Sequence, residues 1–222
     1  MLNNSSEWSS SRRERKEILE GKKVFFLYCG EETEPNYFRY YLGKLVDFWN
    51  QQSEGLTHFS YDDLSYPKSP KEMVMQAKRQ IEKDQYDEVY VVFDKDDYPI
   101  NEFNDAVKQI ASMSSNDLHC YALWSNQCLE LWFILCFELL QTSLPRNRYF
   151  KRLRELLGRP YEKNIVNIAE AIEESGGSIK AGLKNAEKLH KANKRCPSFA
   201  KRDPDTAVDA FFLNYKEYLV GK

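Results

Sequence analysis

The chain has 222 residues, 42% hydrophobic and 30% charged, the size and balance of one globular α/β domain with room for a helical extension. Its longest apolar run, 128–140, is too short to span a bilayer and contains Glu130 and Glu138, so no membrane helix is expected. The net charge of −2 conceals an asymmetry. Residues 1–140 carry 15 Lys/Arg against 24 Asp/Glu, and residues 141–222 carry 17 against 10, which predicts an acidic site in the first part and an anion-facing surface in the second.

Residues 1–20 read as a polar arm, helical over Arg12–Leu19, without the apolar segment of a secretory signal. Strand-length apolar runs follow at 23–29 ("KVFFLYC"), 89–94 ("VYVVFD") and 118–125 ("LHCYALWS"), with a weaker candidate at 56–61 ("LTHFSY"). Helical segments separate them. One starts at Thr33 as N-cap with Pro35 in its first turn, one at Ser69-Pro70, and a third runs through Phe103, Val107 and Ile110. Strands alternating with helices predict right-handed crossovers onto a mainly parallel sheet, covered on both faces. Beyond 126 no further strand is expected, only helices at about 126–140, 147–157, 164–174, 178–195 and 205–220. Five cysteines (29, 120, 128, 136, 196) form no CxxC pair, which argues against a zinc site and suits a reducing cytoplasm.

In a parallel sheet, ligands gather at the carboxyl ends of the strands. There the sequence places Glu31, Glu32 and Glu34 after the first strand and Asp94 and Asp96 at the end of "VYVVFDKDD". Ser125, Asn126 and, one helical turn on, Glu130 follow the last. Carboxylates at that density suit Mg2+ or Mn2+ and metal-assisted attack on a phosphodiester. Two other readings stand beside this one. "DKDDYP" also fits a solvated turn, and Asp94 fits a receiver-type phosphoacceptor, although that fold wants an acidic pair where this chain has Tyr28-Cys29-Gly30.

In "SIKAGLKNAEKLHKANKR", Lys180, Lys184, Lys188, Lys191 and Arg195 fall within an arc of roughly 80° on a helix. They form either a stripe that tracks a nucleic-acid backbone or a solvated lysine face. Gly182 works against that helix by about 1 kcal/mol relative to Ala. Trp124, Trp132, Phe133 and Phe137 read as core, and His58, His119 and His190 show no triad logic.

Taken in order, "CGEETEPNYF", "FDKDD", "SNQCLELWFILCFE" and "RDPDTAV" resemble the motifs of the RloB family over nearly the whole chain. Those proteins carry a Toprim-like domain and occur in bacterial defence and restriction loci. The resemblance implies a three-layer α/β sandwich over 21–140 and a helical C-terminal extension over 141–222. It implies metal binding by the D-x-D pair Asp94 and Asp96, with Glu34, Glu130 and Glu31 or Glu32 as further acids and Ser125 and Asn126 in support. It also implies a nuclease effector acting on DNA or tRNA beside an ABC-type ATPase. Three positions depart from the family pattern: its strand-one Glu is Cys29, and in the third motif its Pro is Gln127 and its His is Cys136. The first departure points to the alternative, a non-catalytic subunit that binds the ATPase or nucleic acid.

Overall fold

A computed structural model describes residues 21–52, 58–162 and 166–220; the predicted arm over 1–20 and the first residues of the weak strand candidate lie outside them. The chain runs β1 (Lys22–Tyr28), α1 (Thr33–Gln52), β2 (Phe59–Ser65), α2 (Pro70–Lys83), β3 (Glu88–Asp94), α3 (Ile100–Ala111) and β4 (His119–Asn126). It continues through α4 (Glu130–Leu135), α5 (Arg146–Leu157), α6 (Ile168–Glu174), α7 (Ile179–Asn193), a 3-10 turn (Phe199–Lys201), β5 (Asp205–Thr206), α8 (Asp209–Asn214) and α9 (Lys216–Leu219). The sheet order is β2-β1-β3-β4-β5, with β1 to β4 parallel and β5 antiparallel to β4.

This is the expected three-layer sandwich. Side chains alternate along each strand, so β1 and β3 feed two cores. Phe25, Leu27, Val89, Val91 and Phe93 pack on Met73, Val74 and Ala77 of α2 and on Phe103, Val107 and Ile110 of α3. Val24, Phe26, Tyr28, Tyr90 and Val92 meet α1 on the other face, together with Trp132, Tyr149, Phe211 and Phe212 from the C-terminal helices. The helices after β4 therefore share the larger core with α1. Each Phe or Leu fully buried there is worth about 1.5–3 kcal/mol.

Local signals explain the elements. Ser69 caps α2 and Glu72 closes the capping box, as the Ser69-Pro70 start predicts. Gly182 sits where a Cβ would come within 2.9 Å of the Trp132 ring and 3.2 Å of Cys136 Sγ, so its absent side chain lets α7 lie against α4. Asn185 of α7 donates to Leu135 O at 2.9 Å and satisfies the end of α4.

Three expectations need correction. The second strand is Phe59–Ser65 rather than 56–61; it is an edge strand with Ser60 and Asp62 exposed, and Asp62 and Asp63 hide it from an apolarity reading. The helix expected over 126–140 is only α4; its residues are all buried, so no polar stripe marks its ends in the sequence. Finally, a strand does follow residue 126, and the helix expected over 205–220 is β5 followed by α8 and α9. β5 has two residues, too few for a period of two to register.

β5 is fastened by His190. Its Nδ1 lies 3.0 Å from Asp205 Oδ1 and its Nε2 3.0 Å from Asp209 Oδ2, tying α7 to β5 and α8. The hydrogen bond to Asp205, then that to Asp209, raises the imidazole from 6.5 to about 10. A raised histidine stabilises fully below its unfolded value and loses that contribution as pH rises through its folded value. H190Q is therefore expected to lower the melting temperature at pH 6.5 by roughly 2–8 °C, about 1–2 kcal/mol for a partly exposed charged pair. Melts of the two proteins should converge above about pH 10; a gap that does not narrow with rising pH would contradict the charged bridge.

Candidate active site

The chain steps from β1 outward to β2 and then back across β1 to β3, so its winding reverses between β1 and β3. Their carboxyl ends lie level: Tyr28 pairs with Val92, Asp94 pairs with Ser125, and Cys29 N–H donates to Val92 O at 2.9 Å. At this edge the structure brings together Asp94, Asp96, Glu34 and Glu130.

Asp94 ends β3 on the face shared with α1 and is buried. Its carboxyl is held well above the usual range, first by burial and then by the negative charges of Glu34, Glu130 and Asp96, with Arg146 opposing. Asp96 follows in a turn with φ +40, in the left-handed region that Asp tolerates better than most residues. The turn is locked from β4: Lys95 N–H donates to Ser125 O at 2.9 Å and Asp96 N–H to Gln127 O at 3.2 Å. Lys95 does not neutralise the aspartates. Its Nζ folds under the turn onto the carbonyls of Asp96 (3.2 Å) and Tyr98 (2.5 Å), while Asp97 faces solvent.

The neutralising cation comes from 50 residues away. Arg146, the first residue of α5, pairs through Nη1 with Asp96 Oδ1 and places Nη2 3.6 Å from Asp94 Oδ2. Glu130, also buried, accepts a hydrogen bond at 2.9 Å from the hydroxyl of buried Tyr161. Glu34 is half-buried over Gly30, where even a methyl group would collide with its carboxylate, 1.8 Å from Oε2. Sequence reasoning missed Arg146 and Tyr161; the surplus of Lys/Arg after residue 140 was the one signal of the former.

The other predicted residues border this cluster or lie away from it. Glu31 and Glu32 are exposed in the β1–α1 turn, lining a cleft of about 370 Å3 with Cys29 and Glu34. Ser125 Oγ is 2.9 Å from Thr206 Oγ1, and Asn126 Nδ2 donates to Ala200 O and Arg202 O, both at 3.0 Å. Both residues hold β5 and the segment before it against β4. Lys180, Lys184, Lys188, Lys191 and Arg195 are all exposed, the first four on α7 and Arg195 just beyond it, with Lys191 paired to Glu187 at 2.6 Å.

Cys29 sits where β1 meets the carboxylates. Burial first, then Asp94, Glu34 and Asp96, push its thiol up to about 12, and Sγ donates to Lys68 O at 3.5 Å. It is a neutral thiol at ordinary pH and supplies neither carboxylate nor thiolate. Cys136 is a core thiol beside Tyr37 and α7, well above its usual range through burial.

Carboxylate oxygens are the donors a hard divalent ion takes, and here Glu34, Asp96 and Glu130 crowd Asp94, whose burial makes its charge costly. As the side chains stand, no group of three or more His, Cys, Asp and Glu that could hold a metal is formed among the described residues. The guanidinium of Arg146 lies on the two aspartates instead.

Fold and site thus define a doubly wound α/β protein with an acidic cluster at its switch point. The chain belongs to the RloB-like family, whose model matches residues 25–212. No curated protein matches it.

The buried pair of Tyr161 and Glu130 gives a direct check. Tyr161→Phe removes the hydroxyl donor to Glu130 Oε1 and leaves this buried carboxylate to the Cys128 thiol, a loss of about 1–3 kcal/mol. The melting temperature should fall by roughly 2–10 °C; an unchanged melt would show that water serves Glu130 equally well.

Proposed function

We propose that this RloB-like protein is a Toprim-like, Mg2+- or Mn2+-dependent nuclease that acts as an effector in anti-phage defence. The observation that carries this reading is the buried Asp94 at the carboxyl end of β3, surrounded by Glu34, Asp96 and Glu130. Negative charge gathered at such cost is characteristic of a functional site rather than of a solvated turn. Family membership supplies the class of chemistry.

In this reading Asp94 and Asp96 hold the ion, with Glu34 beside them and Glu31 in the neighbouring turn. A divalent ion held there would supply charge stabilisation at the phosphodiester under attack and would make the attacking water more acidic. Glu34, nearer solvent than Glu130, takes the proton of the attacking water. Glu130 keeps its bond to Tyr161 and adds to the field at Asp94. The exposed lysines of α7 and Arg195 hold the DNA or tRNA backbone, and an ABC-type ATPase serves as the activating partner. Among the described residues no helix is long and apolar enough to cross a membrane.

A second reading is a non-catalytic subunit that binds the ATPase or nucleic acid. It is favoured by the neutral Cys29 in the place of the family Glu and by Arg146 on the aspartates.

Calorimetric titration of Mg2+ and Mn2+ into wild type, D94N and D96N, followed by cleavage assays on tRNA and duplex DNA with the neighbouring ATPase present, separates the two. The nuclease reading expects metal binding in wild type, weakened at least tenfold by either substitution, and cleavage reduced a hundredfold or more. K184E/K188E should bind nucleic acid with a shallower salt dependence and leave metal affinity unchanged. Wild type that binds metal but never cuts, or binds none, is the non-catalytic subunit.

A further inference from the structure

Arg146 stands where a cation is wanted. Its two terminal nitrogens face Asp96 Oδ1 and Asp94 Oδ2, oxygens of the same D-x-D pair assigned above to the metal. A guanidinium between those carboxylates and a divalent ion on them are like charges competing for one place. The contact is also imperfect. Arg146 Nε is buried without a hydrogen-bond partner, although the side chain as a whole is 34% exposed. A donor left unsatisfied is recovered when the side chain swings into water, and the exposure leaves it a way out. Arg146 opens α5 directly after Pro145, whose extended backbone carries the chain in from the irregular segment following α4. Withdrawal thus requires movement of one side chain at a helix start, with the core contacts of Tyr149 and Leu153 in place.

We propose that Arg146 is a built-in latch: its guanidinium occupies the Asp94–Asp96 pair in the metal-free protein and must leave for the divalent ion to enter, so that it sets the metal affinity of the site. The inference rests on the metal-dependent reading. It goes beyond that reading in assigning a resting state and the residue that controls it.

The test uses the full chain, dialysed against EDTA, and Mn2+ alone as the probe, followed by calorimetry and by the spin-resonance signal of free Mn2+. R146Q should bind Mn2+ at least tenfold more tightly than wild type, and R146K, which keeps a charge but loses the planar fork, should fall between. In EDTA, R146Q should melt below wild type by several degrees, and saturating Mn2+ should raise its melting temperature by more than it raises that of wild type. In the wild-type protein the Arg146 Nε–H resonance should shift on Mg2+ addition with the midpoint seen by calorimetry, a readout independent of whether R146Q folds. If wild type and R146Q bind with equal affinity, or R146Q binds more weakly, the latch is overturned while the metal reading stands. An Nε–H signal that stays in place as Mg2+ binds overturns it equally. If neither protein binds either metal, the metal reading itself fails, and the latch with it.

Discussion

A carboxylate removed from water among three others is the constraint around which this protein is arranged. Burying an ionised group is costly unless it is paired and hydrogen-bonded, and Asp94 is pressed by Glu34, Asp96 and Glu130 as well. Relief comes from the part of the chain after β4. Arg146 of α5 meets Asp94 and Asp96, and Tyr161, just beyond α5, meets Glu130. The part of the chain after β4 shares the sheet's larger core and also carries the groups that make its acidic edge tolerable.

The strand-end motifs gain a structural account from this arrangement. Tyr37 of "TEPNYF" accepts a 2.6 Å hydrogen bond from the Trp132 indole of "CLELW", joining α1 to α4 behind the site. Gly30 leaves room for the Glu34 carboxylate, which lies back over it. "RDPDTAV" forms β5, and Ser125 with Thr206, Asn126 with the carbonyls of Ala200 and Arg202, and His190 with Asp205 and Asp209 bind it in place. At the opposite end of β3, buried Glu88 is fully partnered by Lys22 and by the hydroxyls of Tyr90 and Tyr215. The two acids of one strand contrast: Glu88 has three partners at hand, whereas Asp94 has a distant arginine and like-charged neighbours.

The central strands could be read from composition because parallel strands covered on both faces are apolar throughout. Helix starts such as Ser69-Pro70 were readable because caps are local chemistry. The edge strand β2, the two-residue β5 and the short α4 were not, since each is fixed by pairing or burial against distant residues rather than by its own periodicity. For the site, sequence placed Asp94 and Asp96 together and singled out Glu34 by its motif, but left Glu31 and Glu32 as further candidates; both are exposed, whereas Glu34 is half-buried. Arg146 had no motif to mark it. Its partners are 50 and 52 residues earlier, and a charge surplus in the later residues does not say which arginine reaches them.

The central claim is that the Asp94–Asp96 pair is a divalent-cation site held by Arg146 when no ion is bound. Anomalous diffraction from crystals grown in saturating Mn2+ addresses it most directly. A manganese peak between the Asp94 and Asp96 carboxylates, with the Arg146 guanidinium displaced from both, is the result expected. Density for Arg146 still on both carboxylates and no anomalous peak at the strand ends would contradict it.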